Sequence, residues 1–314
     1  MKNEFMWAYL MHLGENMWGD PGGIMTYAKY EEEVTVNDAV WRQTIDFLPS
    51  QSINTVLIDL GDGVQYEMHP EIAIKGAWSK EKLKKELDHM RAIGLTPIPK
   101  LNFSAGHDAW LGVYSRMLST PPYYQVCKDL IEEVAELFDY PKYFHLGMDE
   151  EIAEYQAGLA FCCIRQHDLW WHDLYYLLDV CEKVGARPWI WADYVWRHPE
   201  IFIEKMPKSV LLSNFWYNRI RKKPDGTYKE TQYDAYRVLE EAGFDQVPCC
   251  STTEGVRVSA LETMKLGKEV IAQERLYGYM TAPWTRPRYG MEYQLMNDAR
   301  QFRIALEQVY PEKA

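Results

Sequence analysis

The residues of this chain best suited to acid–base chemistry are three consecutive carboxylates, Asp149, Glu150 and Glu151. They follow the run Lys142-Tyr143-Phe144-His145-Leu146-Gly147-Met148. The run reads as a short apolar strand closed by a glycine. It delivers acids to a strand end, where an unpaired buried charge is costly. Acids in such a place are either paired or used. A plainer role is also open to them: carboxylates opening the next helix favour its positive end, by about 0.3–1 kcal/mol each.

The elements that must position these acids can be read along the chain. Apolar strands are expected at residues 5–11, 55–58, 95–101, 143–146, 187–192, 210–215, 246–250 and 276–280. Helices are expected at about 37–48, 79–93, 121–138, 167–184, 232–242, 256–272 and 290–309, from apolar residues recurring at helical spacing. In the second helix Leu83, Leu87, Met90 and Ile93 form one face, Ser79 is the cap and Gly94 the stop. Pro97 and Pro99 mark the third strand as strained or irregular. Residues 218–230 read as a polar loop with a turn at Pro224-Asp225-Gly226. Eight short strands alternating with helices indicate a parallel sheet. At 314 residues a closed (β/α)8 barrel forming one domain over 1–314 is expected. An open doubly wound sheet is the alternative, but no G-x-G-x-x-G follows the first strand.

Composition limits the partners. A hydrophobic content of 47% supplies a sizeable core and excludes wholesale disorder. A net charge of −12 argues against nucleic acid or an anionic membrane as partner. The six cysteines form two adjacent pairs and no C-x-x-C, so reduced thiols are expected rather than a disulfide framework or a zinc site. No stretch is apolar for 18 residues, and Glu4, His12, Glu15 and Asp20 spoil any signal peptide. The expected location is the cytoplasm, or outside the cell if a leader has been removed.

In a (β/α)8 barrel the active site lies at the carboxyl ends of the strands. Those ends hold Asp59 and Asp62, His107 and Asp108, Asp149 and Glu150, Asp193, Trp216 and Tyr217, Glu254, and Trp284. Acids, one imidazole and aromatics suit acid–base chemistry on a neutral polar ligand with apolar faces, which describes a sugar. No Gly-rich loop with a lysine points to phosphate chemistry.

Here the sequence resembles a known family. Phe144-His145-Leu146-Gly147-Met148-Asp149-Glu150 is similar to the H-x-G-G-D-E signature of glycoside hydrolase family 20, the β-N-acetylhexosaminidases. Residues 97–107 (PIPKLNFSAGH) resemble that family's P-E-I-D-x-P-G-H at the third strand, and residues 54–77 its second strand and following loop. Residues 278–284 (GYMTAPW) are faintly similar to its last strand. The likeness covers residues 50–195 well and the rest poorly, and the fourth-strand motif is the most specific part. It implies that Glu150 protonates the leaving glycosidic oxygen, while Asp149 orients the substrate's own 2-acetamido group for attack on the anomeric carbon. That is an exception to the usual two-carboxylate scheme. His107, Asp59, Asp62, Asp193, Trp216, Tyr217, Trp284 and Arg286 are the expected substrate-binding residues.

The chain also departs from the family pattern. Met148 replaces the second glycine, Lys100 and Asn102 replace an acid pair, and Asp59 stands where a histidine is usual. The first strand lacks the family's arginine, Ser251-Thr252-Thr253-Glu254 stands in place of a tyrosine on strand seven, and Arg286 replaces a glutamate. Arg286 therefore suggests a pocket that accepts an anionic substituent, or else a local ion pair. His145 reads as structural. His107 reads as a site residue or a packed histidine, and Asp193 as a site residue or a helix cap. Trp191, Trp216 and Trp284 read as sugar platforms or core. A carbohydrate-binding barrel without catalysis, and a barrel glycosidase for another sugar, are the competing functions. No cofactor is expected, and no metal: H-x-H and H-E-x-x-H are absent, and His167 and His172 stand five apart. Chelator treatment should accordingly leave glycosidase activity intact. A large loss restored by one divalent metal would overturn that expectation.

Overall fold

A computed structural model describes residues 5–24, 29–253 and 255–313; Glu254 lies outside the described residues. In chain order the elements are β1 (Met6–His12), α1 (Asp38–Phe47), β2 (Thr55–Asp59), α2 (Lys80–Ala92), β3 (Thr96–Lys100), α3 (Pro121–Leu137), β4 (Tyr143–His145) and α4 (Ala153–Gln156). They continue with α5 (Asp168–Lys183), β5 (Arg187–Trp191), α6 (Pro199–Lys205), β6 (Leu211–Ser213), α7 (Asp234–Glu241), β7 (Cys249–Cys250), α8 (Ser259–Val270), β8 (Gly278–Thr281) and α9 (Glu292–Val309). The eight strands are parallel, in the order β6-β5-β4-β3-β2-β1-β8-β7. Single bridges Leu212↔Gln246 and Phe215↔Cys249 join β6 to β7, so the sheet closes on itself as a (β/α)8 barrel.

Local chemistry explains where these elements begin and break. Asn37 accepts the Ala39 and Val40 N–H groups at 3.0 and 3.1 Å and so starts α1, and Ser79 caps α2 through the Lys82 N–H. The short helices α4 and α6 carry too few turns to show a periodic pattern, and the sequence does not announce them. In β3 the Thr96 N–H turns toward β2, donating to Asn54, so odd-numbered positions face β4. Leu101 duly donates to His145 at 3.0 Å. Pro97 and Pro99 face the same way and have no N–H to give, so β3 and β4 share only the pair Lys100↔His145. Pro248 likewise cuts the seventh strand down to Cys249–Cys250.

Two apolar layers result. Trp7, Tyr9 and Met11 of β1 face the helices, whereas Met6, Ala8 and Leu10 point inward with Leu57, Ile98, Trp189 and Met280. Burial on both faces is why the strands read as continuous apolar runs. A cavity of about 540 Å³, lined by residues such as Asn54, Thr96 and Tyr143, lies at the amino-terminal end, away from the acids. Among the described residues no helix is long and apolar enough to cross a membrane.

The β1–β8 pairing depends on a close backbone approach. A Cβ on Gly278 would stand 2.2 Å from the Met6 carbonyl oxygen. Gly278→Ala should therefore destabilise the fold by about 1–3 kcal/mol, the usual cost of overpacking. Urea denaturation measures this, and an unchanged midpoint would refute it.

Candidate active site

At the carboxyl end of the barrel the inward positions turn polar. His12, Asp59, Lys100 and His145 are successive register partners across β1 to β4, and all four are buried. Lys100 is fully buried and its ammonium pairs with the Asp59 carboxylate. Burial raises the Asp59 pKa, and the Lys100 charge and hydrogen bond work against that rise. Burial, then the Lys100 charge, push His12 and His145 well below the ordinary imidazole value, so both are neutral. His145 Nδ1 accepts the Gly147 N–H at 3.1 Å, which places its proton on Nε2. His145 thus shapes the turn behind the acids, as a structural histidine does.

The acids sit on a tightly folded turn. Gly147 adopts φ +75° against Asn102, where a Cβ would stand 1.9 Å from Asn102 Oδ1. Met148 at φ +72° and Glu150 at φ +56° are non-glycine residues in the left-handed region, a conformation that costs about 1–3 kcal/mol each. Asp149 accepts from Asn102 Nδ2 at 2.9 Å, and its backbone carbonyl accepts from the Ser104 hydroxyl. The Glu150 N–H donates to Asp193 Oδ2 at 2.9 Å. Asp149 is nearly buried, whereas the Glu150 side chain keeps 17% exposure and reaches toward the mouth.

His107 joins the pair. Its Nε2 lies 3.2 Å from Glu150 Oε2 and 3.5 Å from Asp149 Oδ2. Burial opposes a charge on this imidazole, but the Asp149 carboxylate and the hydrogen bond and charge of Glu150 outweigh it, raising the pKa to about 9. One ligand atom each of His107, Asp149 and Glu150 lies within 4.8 Å of the others, and no second group of this kind occurs among the described residues. The spacing patterns of the sequence do not reveal this trio, because it comes from two loops. Metal binding there would require His107 to lose its proton.

Aromatic side chains wall the mouth. Trp284, at φ +47°, packs against Trp191 at 5.8 Å and Tyr217 at 6.3 Å, and Trp191 is buried beneath it. The Trp191 and Trp284 indole N–H groups and the Tyr217 hydroxyl have no hydrogen-bond partner, and neither has Asp193 Oδ1. Buried polar atoms are nearly always paired, so this set is equipped to receive a polar ligand.

Other expected contacts fall elsewhere. Asp62 is not turned to the mouth: it accepts the Glu15 N–H at 2.8 Å and Asn16 Nδ2 at 2.6 Å, which organises the loop after β1. Burial lifts its pKa to about 6 against those hydrogen bonds. Arg286 does not offer a free charge to an anionic substituent, since its Nε lies 2.9 Å from the buried Glu15 carboxylate and its guanidinium covers Trp18. Trp216 packs edge-on against Trp196 at 5.6 Å with the outer layer, because strand alternation turns it away from its neighbours Phe215 and Tyr217. Asp59 is engaged by Lys100, and Asp193 supports the Glu150 backbone. One contributor, Arg165, has no sequence signal. Arg165 clamps Glu151 and pairs with Asp173 at 3.1 Å, and it donates to the Phe103 carbonyl at 2.8 Å. Glu151 in turn accepts the Ala105 N–H at 2.8 Å, so Arg165 ties together the loops carrying His107 and Glu150.

Fold and mouth together define a (β/α)8 barrel with an acid-lined, aromatic-walled site at its carboxyl end. No family model matches the chain, and no curated protein matches it. Solved structures do match, and the fold is that of the glycoside hydrolase family 20 barrels. The chain is similar to a Flavobacterium johnsoniae chitobiase at 16% identity and TM-score 0.63, covering 99% of this chain and 52% of that one. It is similar to a β-N-acetylhexosaminidase from Bacteroides fragilis at 14% identity and TM-score 0.65, covering 95% of this chain and 65% of that one. A family 20 β-N-acetylhexosaminidase from Streptomyces coelicolor matches at 11% identity and TM-score 0.62, over 99% and 70%. The chain thus spans about half to two thirds of the first two structures. At these identities the likeness is one of fold.

The raised His107 pKa has a consequence for stability. A group whose folded pKa lies above its ordinary 6.5 contributes stability fully below about pH 6.5 and loses it as pH rises through about 9. Wild-type melting temperature should fall across that window, and His107→Gln should flatten this part of the profile. Identical slopes in both proteins would contradict the assignment.

Proposed function

We propose that the protein is a glycoside hydrolase acting on β-linked N-acetylhexosamine by substrate-assisted retention. The observation that carries this reading is the engagement of the neighbouring carboxylates. Asp59 is held by Lys100, Asp62 by the Glu15 and Asn16 N–H groups, Glu151 by Arg165, and Asp193 by the Glu150 N–H. Asp149, which accepts only from the neutral Asn102 amide and His107, and Glu150, which meets His107 and keeps partial exposure, are taken as the reacting acids. They are adjacent on one turn and gathered by one imidazole, so they approach a sugar from the same side. The usual scheme instead needs two carboxyls flanking the bond, about 5–5.5 or 6.5–9.5 Å apart. A nucleophile from the substrate itself resolves this.

In the first step Glu150 gives its proton to the glycosidic oxygen as the C1–O bond breaks. The acetamido carbonyl oxygen attacks C1, closing an oxazolinium ring. Asp149 accepts the acetamido N–H and stabilises the positive charge that develops there. His107, protonated at neutral pH, lies between the two carboxylates and orients them. In the second step the Glu150 carboxylate removes a proton from water as it adds to C1 and reopens the ring, so configuration is retained. Trp191, Trp284 and Tyr217 wall the acetamido group, and their unpartnered N–H and O–H groups provide donors. The same residues would serve a barrel that binds sugars without cleaving them, so the test must read turnover.

Aryl N-acetyl-β-hexosaminides should be cleaved and the corresponding unacetylated glycosides should not. Glu150→Gln should lower turnover by about 10²–10⁴-fold on a poor leaving group, and by much less on one that needs no proton. Asp149→Asn should slow every N-acetylated substrate whatever its leaving group. Equal leaving-group sensitivity in the two variants, or full activity in Glu150→Gln, would refute these roles.

A further inference from the structure

We propose that the thioether of Met17 occupies the place of a substrate hydroxyl at the floor of the mouth. Lys100 and Asn102 are then the donors that receive this hydroxyl when the Met17 side chain swings aside. The inference rests on the sugar-binding reading of the site and deepens it by naming the residues that recognise the ring.

Met17 Sδ lies 3.6 Å from Lys100 Nζ and 3.6 Å from Asn102 Nδ2. Both donors are fully buried and Met17 is nearly so. A thioether is a weak acceptor, whereas an ammonium carries three donors and an amide two. Lys100 has one strong acceptor, Asp59, and Asn102 has one, Asp149. In each case the sulfur takes a hydrogen that an oxygen would hold better. Methionine often fills irregular gaps in apolar cores, but apolar packing does not require two converging N–H donors. These donors mark an oxygen site that the protein fills with the most displaceable acceptor it has, a side chain with three rotatable bonds.

Charge decides what kind of oxygen belongs there. Asp59 already balances Lys100, and Asp149 and Glu150 lie beside the pair. A carboxylate or sulfate would add a negative charge that no remaining cation balances, since Lys100 is paired with Asp59 and His107 with Asp149 and Glu150. A neutral hydroxyl fits, and it can donate in turn to Asp59. Asn102 touches both the sulfur and Asp149, so filling this position with the correct hydroxyl also steadies the acid that orients the acetamido group. Lys100 and Asn102 stand where the resembling family carries an acid pair.

The experiment compares wild type, Met17→Ala and Met17→Gln on p-nitrophenyl N-acetyl-β-glucosaminide and its 3-, 4- and 6-deoxy analogues. Calorimetric binding of N-acetylglucosamine, glucose and galactose is measured in parallel. Removing the sulfur should lower KM roughly three- to tenfold, the worth of one net hydrogen bond, with kcat little changed. The Gln carbonyl is a stronger competitor and should raise KM. One deoxy analogue, lacking the hydroxyl that takes this place, should lose the distinction between the three proteins. A rise in KM for Met17→Ala, or the same variant dependence for all four substrates, would overturn the proposal. If no substrate is cleaved but sugar affinity still rises from the Gln variant through wild type to the Ala variant, the Met17 site stands and the hydrolase reading falls. Equal sugar affinity in all three proteins, or no sugar binding to any, overturns the Met17 site.

Discussion

The buried pairing of Lys100 with Asp59 is the constraint on which the mouth of this barrel depends. Each charge alone would be prohibitive at that depth, and removing one partner of such a pair typically costs about 3–5 kcal/mol. Together they form a neutral unit that spans β2 and β3 within a ring of inward polar residues. Burial, and after it the lysine charge, keeps the flanking His12 and His145 neutral, so His145 is free to accept the Gly147 N–H and shape the turn that follows. The floor is therefore a layer of paired or neutral groups on which the acid-bearing turn rests.

That support carries upward through a second buried cation. Arg165 gathers Glu151, Asp173 and the Phe103 carbonyl, binding the loops after β3 and β4 to the start of α5. With those loops anchored, the strained turn through Gly147, Met148 and Glu150 is over-determined by its surroundings, the condition under which such backbone persists at functional sites. The thin β3–β4 ladder contributes as well. Two prolines deny β4 its lower hydrogen bonds to β3, so on that side it is held only at its carboxyl end, while β5 pairs with it along its length.

Above the floor, electrostatics and shape divide the work. His107 is the one histidine of the mouth whose pKa is raised, because two carboxylates outweigh its burial. Asp193 holds the Glu150 backbone while the Glu150 side chain remains partly exposed. Trp191, Tyr217 and Trp284 close the opposite wall with donors that lack partners. Arg286, which a linear reading assigns to ligand charge, is committed to Glu15 and helps fold the loop after β1 over the barrel.

The sequence by itself determined the barrel and marked a pair of adjacent acids at one strand end. Apolar runs with helical segments between them are local signals, so all eight strands appear in their expected order, and a glycine-terminated strand followed by acids marks Asp149 and Glu150. It also determined that His107 would stand at a strand end. Only the tertiary structure decided which strand-end residues turn toward the barrel mouth. Asp62 looks identical to Asp59 along the chain, yet one braces a loop and the other neutralises a lysine, because their partners come from different elements. Trp216 and Tyr217 are neighbours in sequence, but strand alternation sends them to opposite faces. Arg165 and Met17 lie in loops without periodicity, and their contacts reach residues 8 to 85 positions away. Such contacts depend on how the closed sheet brings loops together, and pattern along a single chain does not encode them.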